Sequence, residues 1–395
     1  MQRSFTNWVM LAAAASAIAL GQNPAVTQEG AFWVRTGHTE PTALGPQIKR
    51  LELFTRGNIV VRGSDSSQIQ ITLKQRVRAA SVDEATRQWG RVVRIDSPFV
   101  SMGNTLRLSL EAPGNFKVST LFEITVPRQL LSLWLNNGSG SVEVTDFEGS
   151  VRAETGGGPV TLDRIHGDVI GRTTYGGIRL GAIGGNVQCT SGGGAIVIDN
   201  AQKDVNCLTA GGDVNVKYVA GALTVITEGG NILVEKAGGL VRARSGAGLI
   251  DVREAKGAVV ADTRGGSIQV GSANGVRAES ADGQIRVKGG SGPMSVSTMV
   301  GSILAELMSG GRFQDSTLAA GTGDITLLIP AGMGVAVRAR NESGMTPRIV
   351  SDFPEIQVRS VGFRSPVNAQ GAISGGGPTI DLNTNGGTIY LRRVK

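Results

Sequence analysis

Histidine and cysteine each occur only twice in the 395 residues, aromatic side chains make up 4%, and proline fills 13 positions. With His38 and His166 as the whole histidine complement, neither a histidine-based metal site nor a Ser-His-Asp triad is supported. So few rings leave little for a base-stacking surface or a sugar platform. Apolar runs are scarce too. The run Val9–Leu20 has twelve residues, well short of the roughly 20 that span a bilayer as a helix. It follows Arg3 and ends in Ala17-Ile18-Ala19 or Ala19-Leu20-Gly21, so residues 1–21 read as a secretory signal, with an uncleaved anchor as the alternative. No cysteine follows the run, which argues against a lipid-anchored form. The mature chain is expected outside the cytoplasm (periplasmic, cell-surface or secreted), with no transmembrane segment after signal removal.

Glycine, by contrast, is abundant at 58 residues. It shows no Gly-X-Y period, so the chain is not collagen-like, and the glycines act as punctuation between strands. From Gly140 to Val300 the sequence repeats every nine residues, beginning GSVEVTDFE, GSVRAETGG, GPVTLDRIH, GDVIGRTTY. Alternate units differ, so the true period is eighteen. Position three of the odd units falls at Val142, Val160, Ile178, Ile196, Val214, Ile232, Ile250, Ile268, Ile285 and Ile303, with a single spacing of seventeen. Positions three and five are large aliphatics around a free residue, the period-two signature of a short strand with one buried face. Position eight is apolar as well, which points a corner inward. In the even units position three stays aliphatic but position five is mostly small: Ala153, Gly171, Cys189, Cys207, Val225, Ala243. A layer of large side chains thus faces a layer containing small ones, suited to a narrow core. A single coil cannot bury its own apolar face, whereas stacked coils can.

Two positions further on, every even unit carries a hydroxyl: Thr155, Thr173, Ser191, Thr209, Thr227, Ser245, Thr263, Ser280 and Thr298. Ser and Thr bond neighbouring backbone groups at turns, so the series reads as a structural hydroxyl ladder; an outward array templating a ligand is the other reading. Cys189 and Cys207 occupy the same inward position on adjacent coils, about 4.8 Å apart. They form a candidate disulfide, or else serve as two buried thiols acting as small apolar fillers.

The flanks lack the strict repeat. Residues 22–46, with Pro24, Pro41 and Pro46, read as a linker; 47–135 as an N-terminal β cap region; 136–322 as the solenoid repeats; and 323–395 as C-terminal β segments closing it. Ser81-Val82-Asp83-Glu84 resembles a capping box before one short helix reaching about Trp89. Gly375–Leu382 and Gly386–Leu391 restore the repeat style and are expected to be the final strands. Irregular ends of this kind cap an exposed sheet stack.

Taken in order, Ile124-Thr125-Val126-Pro127, Leu133-Trp134-Leu135, Gly140-Ser141-Val142-Glu143-Val144, the Gly-x-Ile/Val-x-Val coils and the Gly-Gly-Gly-Pro-Thr-Ile-Asp-Leu ending resemble the bacterial DUF4097 family of candidate adhesins. The resemblance runs from about Ile48 to the C-terminus. It implies a single-stranded right-handed β-helix outside the cytoplasm, with no catalytic residues to carry over. The expected fold is therefore all-β: a β-solenoid of 18-residue coils, each two nonapeptide units, capped by irregular β segments.

Chemistry-bearing patterns are sparse. Calcium β-rolls place Asp where this chain has Ser or Thr, and Asp146, Asp163 and Asp199 are sporadic, so no metal or cofactor is expected. The outward column Glu143, Thr161, Arg179, Val197, Asn215, Leu233, Asp251, Gln269, Arg286, Leu304 pairs no carboxylates on adjacent coils, so a glycosidase-type centre is not expected. The net charge of +7 attracts acidic surfaces. Yet Arg242, Arg244, Arg253, Arg264, Arg277 and Arg286 alternate with Asp251, Glu254, Asp262, Glu279 and Asp282, as on a mixed solvated face. The reading is an exported, non-enzymatic scaffold presenting a flat surface for cell-envelope, glycan or protein binding, with no nucleic-acid partner. A self-associating envelope rod and, from another class, a carbohydrate-active β-helix are the alternatives.

Overall fold

The computed structural model describes residues 25–89, 100–110, 117–310, 313–342, 348–360 and 365–394; the signal segment 1–21 lies outside them. The chain divides into two compact units, 1–155 and 156–395.

In the second unit each 18-residue coil contributes one strand to each of two parallel sheets. The first sheet stacks Val160 on Ile178, Ile196, Val214, Ile232, Ile250, Ile268, Ile285 and Ile303, one residue per coil. The second stacks Val169 on Val187, Val205, Leu223, Val241, Val259, Val276 and Met294. These aliphatics are buried, and so are the corner residues Ile165, Ile183, Ala201, Val219 and Ala237. The small positions Ala243, Ala261 and Ala278 of the second sheet are likewise buried. Register is fixed because a slip of one residue would turn each buried pair outward. The chain is a β-solenoid.

Cys189 and Cys207 sit opposite one another in the second sheet, bonded as a disulfide across a Cα separation of 4.6 Å. The bridge closes a loop of 18 residues, for which chain entropy gives about 3 kcal/mol of stabilisation. Replacing both with alanine (C189A/C207A), or adding a strong reductant, should therefore lower the unfolding free energy by a comparable amount, read as a lower guanidinium midpoint. An unchanged midpoint would reduce the pair to apolar filling.

The first unit and the C-terminal part of the second are each built by non-local pairing. In the first unit Arg50–Thr55 lies parallel to Ser132–Asn137 on one side and to Thr105–Leu110 on the other. Asn58–Ser64 likewise lies between Val142–Phe147 and Val118–Pro127. The unit boundary falls after Thr155 rather than Leu135 because the coil 132–155 is paired directly with these N-terminal strands. Antiparallel strands then finish the sheet: Gln68–Arg78 on Val118–Pro127, Phe32–His38 on Gln68–Arg78, and Ala25–Glu29 on Phe32–His38.

The segment read as a linker is thus largely strand. Among the described residues, Pro41 and Pro46 fall outside the strands Phe32–His38 and Thr42–Ala43 instead of interrupting them. Trp33 packs against Val77, Ala85 and Trp89, while Arg35 donates to Oε1 of Gln75 at 2.6 Å and lies 5.3 Å from the Trp89 ring centroid. Burial lowers the pKa of that arginine. The helix Val82–Trp89 opens with the Glu84 amide donating to the Ser81 hydroxyl at 3.3 Å, a capping interaction.

In the second unit the structure corrects the strand order. Thr379–Thr384 and Thr388–Arg393 are last in sequence but not last in the stack. Ile380 pairs with Ser316 on one side and Val337 on the other, and Ile389 pairs with both Ile325 and Ile349. The C-terminal coil is therefore inserted between two earlier layers. Antiparallel strands Val367–Ile373 and Gln357–Ser360 extend the second sheet beyond Val335–Asn341. Ending in antiparallel strands stops the second sheet from offering its next coil position to another chain.

Candidate functional site

The most conspicuous sequence feature, the hydroxyl ladder, faces inward. Thr209 and Thr227 are 0% and 1% exposed, which removes the ligand-templating reading for this series. From Thr173 to Ser280 each hydroxyl donates to a glycine carbonyl one coil back and accepts from the glycine amide three residues ahead. Ser191 Oγ donates to Gly176 O at 2.9 Å and accepts from Gly194 N at 2.8 Å. Thr227 Oγ1 donates to Gly212 O at 3.0 Å and accepts from Gly230 N at 3.1 Å. Ser245 donates to Gly230 O and accepts from Gly248 N, both at 2.8 Å. Thr173, Thr209, Thr263 and Ser280 repeat the arrangement, and Thr298 and Thr155 donate in the same way.

Because one glycine gives its amide to its own coil's hydroxyl and its carbonyl to the next, the bonds link into a chain running from coil to coil. Only a side chain that both donates and accepts can hold such a link. Asparagine substitutes at the ends. Asn137 Nδ2 donates to Gly57 O and Asn341 Nδ2 to Gly387 O, each at 2.8 Å. The regularity of the Ser/Thr column hides these two because asparagine breaks the residue class while keeping the bonding role.

Thr227→Val keeps the side-chain shape and strips both bonds, leaving Gly212 O and Gly230 N buried without that partner. Each such orphan costs about 1–3 kcal/mol, so a loss of about 3 kcal/mol is expected in urea unfolding. Thr227→Ser should cost only about 1 kcal/mol for its methyl. Equal losses from the two variants would show that packing, and not the bonds, sets the contribution of this column.

The scattered acidic residues also have structural work. Asp168 Oδ1 accepts from Asn186 N at 2.7 Å, Asp204 from Ala222 N at 2.8 Å and Asp213 from Asn231 N at 2.7 Å. Asp163 accepts from Ala182 N at 3.0 Å, and Asp199 pairs with Lys217 at 2.6 Å and Arg179 at 3.2 Å. Among the described residues no group of three or more His, Cys, Asp or Glu is placed to hold a metal. On the arginine-rich coils, Arg277 pairs with Glu279 at 2.8 Å and Arg244 with Asp262 at 3.7 Å. Such exposed pairs are worth about 0–1 kcal/mol and describe a solvated face. A depression of about 170 Å³ lies over Gly271, where Arg253 and Lys288 flank a residue with no side chain.

A larger concave surface lies where sequence periodicity gave no signal. Across the strands Thr379–Thr384, Val335–Asn341, Val367–Ile373 and Gln357–Ser360, register sets two outward rows. One row is Asp381, Arg338, Gln370, Gln357; the other is Asn383, Arg340, Asn368, Arg359. Between these side chains runs an open groove of about 490 Å³. The alternate residues Val337, Ala339, Ala369, Ile380 and Leu382 are buried beneath it, so the sheet supplies a rigid floor. Arg340 is held by Glu342, with Nε to Oε1 at 2.6 Å, and Arg359 Nη2 donates to Gln357 Oε1 at 3.1 Å. The groove offers guanidinium and amide groups in two ranks about 4.8 Å apart from strand to strand. It was not legible beforehand because it is assembled from strands that pair out of chain order.

No family model matches the chain, and no curated protein matches it. Solved structures do align along most of its length. One is a proposed cell adhesion protein from Clostridium sporogenes, 9% identical over 91% of this chain and 100% of its own, with a TM-score of 0.20. A proposed adhesin from Bacteroides fragilis is 14% identical over 91% and 97%, with a TM-score of 0.18. A proposed lipid-binding protein from Parabacteroides distasonis is 11% identical over 92% and 97%, with a TM-score of 0.19. Likenesses at this level carry no argument about the role of this chain.

Proposed function

We propose that the protein is an exported, non-enzymatic β-solenoid scaffold of adhesin type, related to the DUF4097 proteins it resembles, and that it works by presenting its outer surface to cell-envelope glycans or proteins. The observation that carries this reading is the division of labour between inside and outside. Side chains of the repeat that are uniform from coil to coil, the aliphatics and the hydroxyls, are consumed by the core and its bonds. The outward positions vary freely, and a groove flanked by polar side chains opens on a rigid sheet. A rigid floor with variable polar side chains above it suits recognition, since little ordering entropy is lost on binding.

The experiment is a panel of purified anionic and neutral polysaccharides incubated with the chain from Gln22 onward, read for retention and for new reducing ends. Retention of at least one glycan without cleavage supports the reading. Turnover of any of them overturns it in favour of a carbohydrate-active enzyme.

A further inference from the structure

The groove on the C-terminal strands has a charge and a geometry that narrow its ligand. Residues 331–395 contain eight basic residues and four acidic ones, so a chain of net charge +7 concentrates more than half of its excess in its last sixth. Within the groove the acidic side chain is Asp381, set against Arg338, Arg340 and Arg359. Arg340 is paired with Glu342, whereas Arg338 and Arg359 make no ion pair among the described residues. The neighbouring segments 343–347 and 361–364 contain no Asp or Glu that could neutralise them. Two arginine forks therefore stand in different rows and on different strands, Arg338 opposite Gln370 and Arg359 opposite Asn368.

A guanidinium fork favours a planar carboxylate or a tetrahedral oxyanion held by two parallel bonds. The amides between them, Gln357, Gln370, Asn368 and Asn383, each both donate and accept, which matches hydroxyl groups. Anionic groups alternating with hydroxyls along an extended chain describe an acidic polysaccharide. Apolar side chains enter the lining only through the small Ala339 and Ala369 between the rows, which leaves no deep slot for an apolar tail.

We propose that this groove binds the carboxylate-bearing chain of an acidic polysaccharide, with Arg338 and Arg359 each taking one carboxylate and the amides reading hydroxyls between them. The proposal rests on the scaffold reading above and names the ligand class of its binding face.

The test uses the chain from Gln22 onward and the double variant R338Q/R359Q. A charge-matched control, R242Q/R264Q, lies on the repeats, where both arginines are exposed. Binding is measured by titration calorimetry to polygalacturonate, to neutral dextran and to anionic phosphatidylglycerol vesicles at about 0.15 M salt. The expected result is saturable binding to polygalacturonate, reduced at least about tenfold in R338Q/R359Q and little changed in R242Q/R264Q, with dextran unbound. Unfolding midpoints of the two variants should match, so that a lost affinity is not a lost fold. Equal losses in the two variants would assign the binding to bulk charge and overturn the proposal. So would unchanged affinity in R338Q/R359Q, no binding to polygalacturonate, or binding to the vesicles alone. Whole-cell binding that persists in R338Q/R359Q would sink this site while leaving the scaffold reading standing.

Discussion

Deleting one whole coil, residues 213–230, should leave a soluble chain that still unfolds cooperatively. Deleting half a coil, residues 213–221, should leave one that does not fold. In the first variant Gly212 is followed by Asn231, the same junction that Gly230 makes in the native chain. Ile196 then stacks on Ile232 in place of Val214, and Cys207 on Ala243 in place of Val225, all of them buried positions. Each coil contacts only its neighbours, so the lost stability is that of one repeat and one interface. In the second variant Gly212 is followed by Ala222 and Leu223, and every later strand arrives on the wrong sheet. Thr227 would then sit in a column with no glycine pair arranged to bond it, while large residues face large ones. Far-UV circular dichroism and size exclusion of the two variants give the readout. A folded half-coil deletion would mean that the two sheets are interchangeable and that the period is nine.

The second large effect distinguishes two adjacent glycines. A Cβ built on Gly212 would lie 2.2 Å from Gly194 O and 2.4 Å from Gly194 C, both backbone atoms of the coil beneath. The same obstruction recurs at Gly194, Gly230, Gly248 and Gly266, each against the glycine one coil back. None of these has a left-handed φ. Glycine is required here by close approach of backbones, and not by the torsional freedom that glycine-rich turns suggest in a sequence. Gly212→Ala must separate two coils that share ladder bonds and the hydroxyl chain. Overpacking typically costs about 1–3 kcal/mol, and about 3 kcal/mol is expected. At Gly211, with nothing within 4 Å and no left-handed φ, alanine should be neutral or stabilise by about 0.5 kcal/mol through the unfolded state. Paired thermal melts decide this, and a similar cost at both positions would contradict the account.

Much of the architecture is visible in the residues because a solenoid writes its contacts at one fixed separation. The pair Val205 and Leu223 is eighteen apart in sequence and adjacent in the sheet, so periodicity and proximity carry the same information. Inward corners such as Ile183 and Val219 are legible for that reason. The ends are not, because their partners are set by closure instead of period. Ile325 and Ile389 pair across sixty-four residues, and nothing local distinguishes a last strand from an inserted one. The strand Phe32–His38 was obscured by its flanking prolines, and its partner Gln68–Arg78 lies some forty residues away.

For the site the relation is reversed. The column from Thr155 to Thr298 is regular because the interior makes a constant demand on it. Recognition surfaces on a repeat need no period, and the groove around Arg338 and Arg359 shows none. Its residues come from four strands that the sequence places in a different order.

The measurement that bears most directly on the scaffold reading is saturation binding of the chain from Gln22 onward to isolated bacterial envelopes, at about 0.15 M and about 0.5 M salt. The account predicts saturable binding, competed by unlabelled protein, that weakens at the higher salt but persists. Binding that is absent, that rises without saturation, or that vanishes at the higher salt would contradict it.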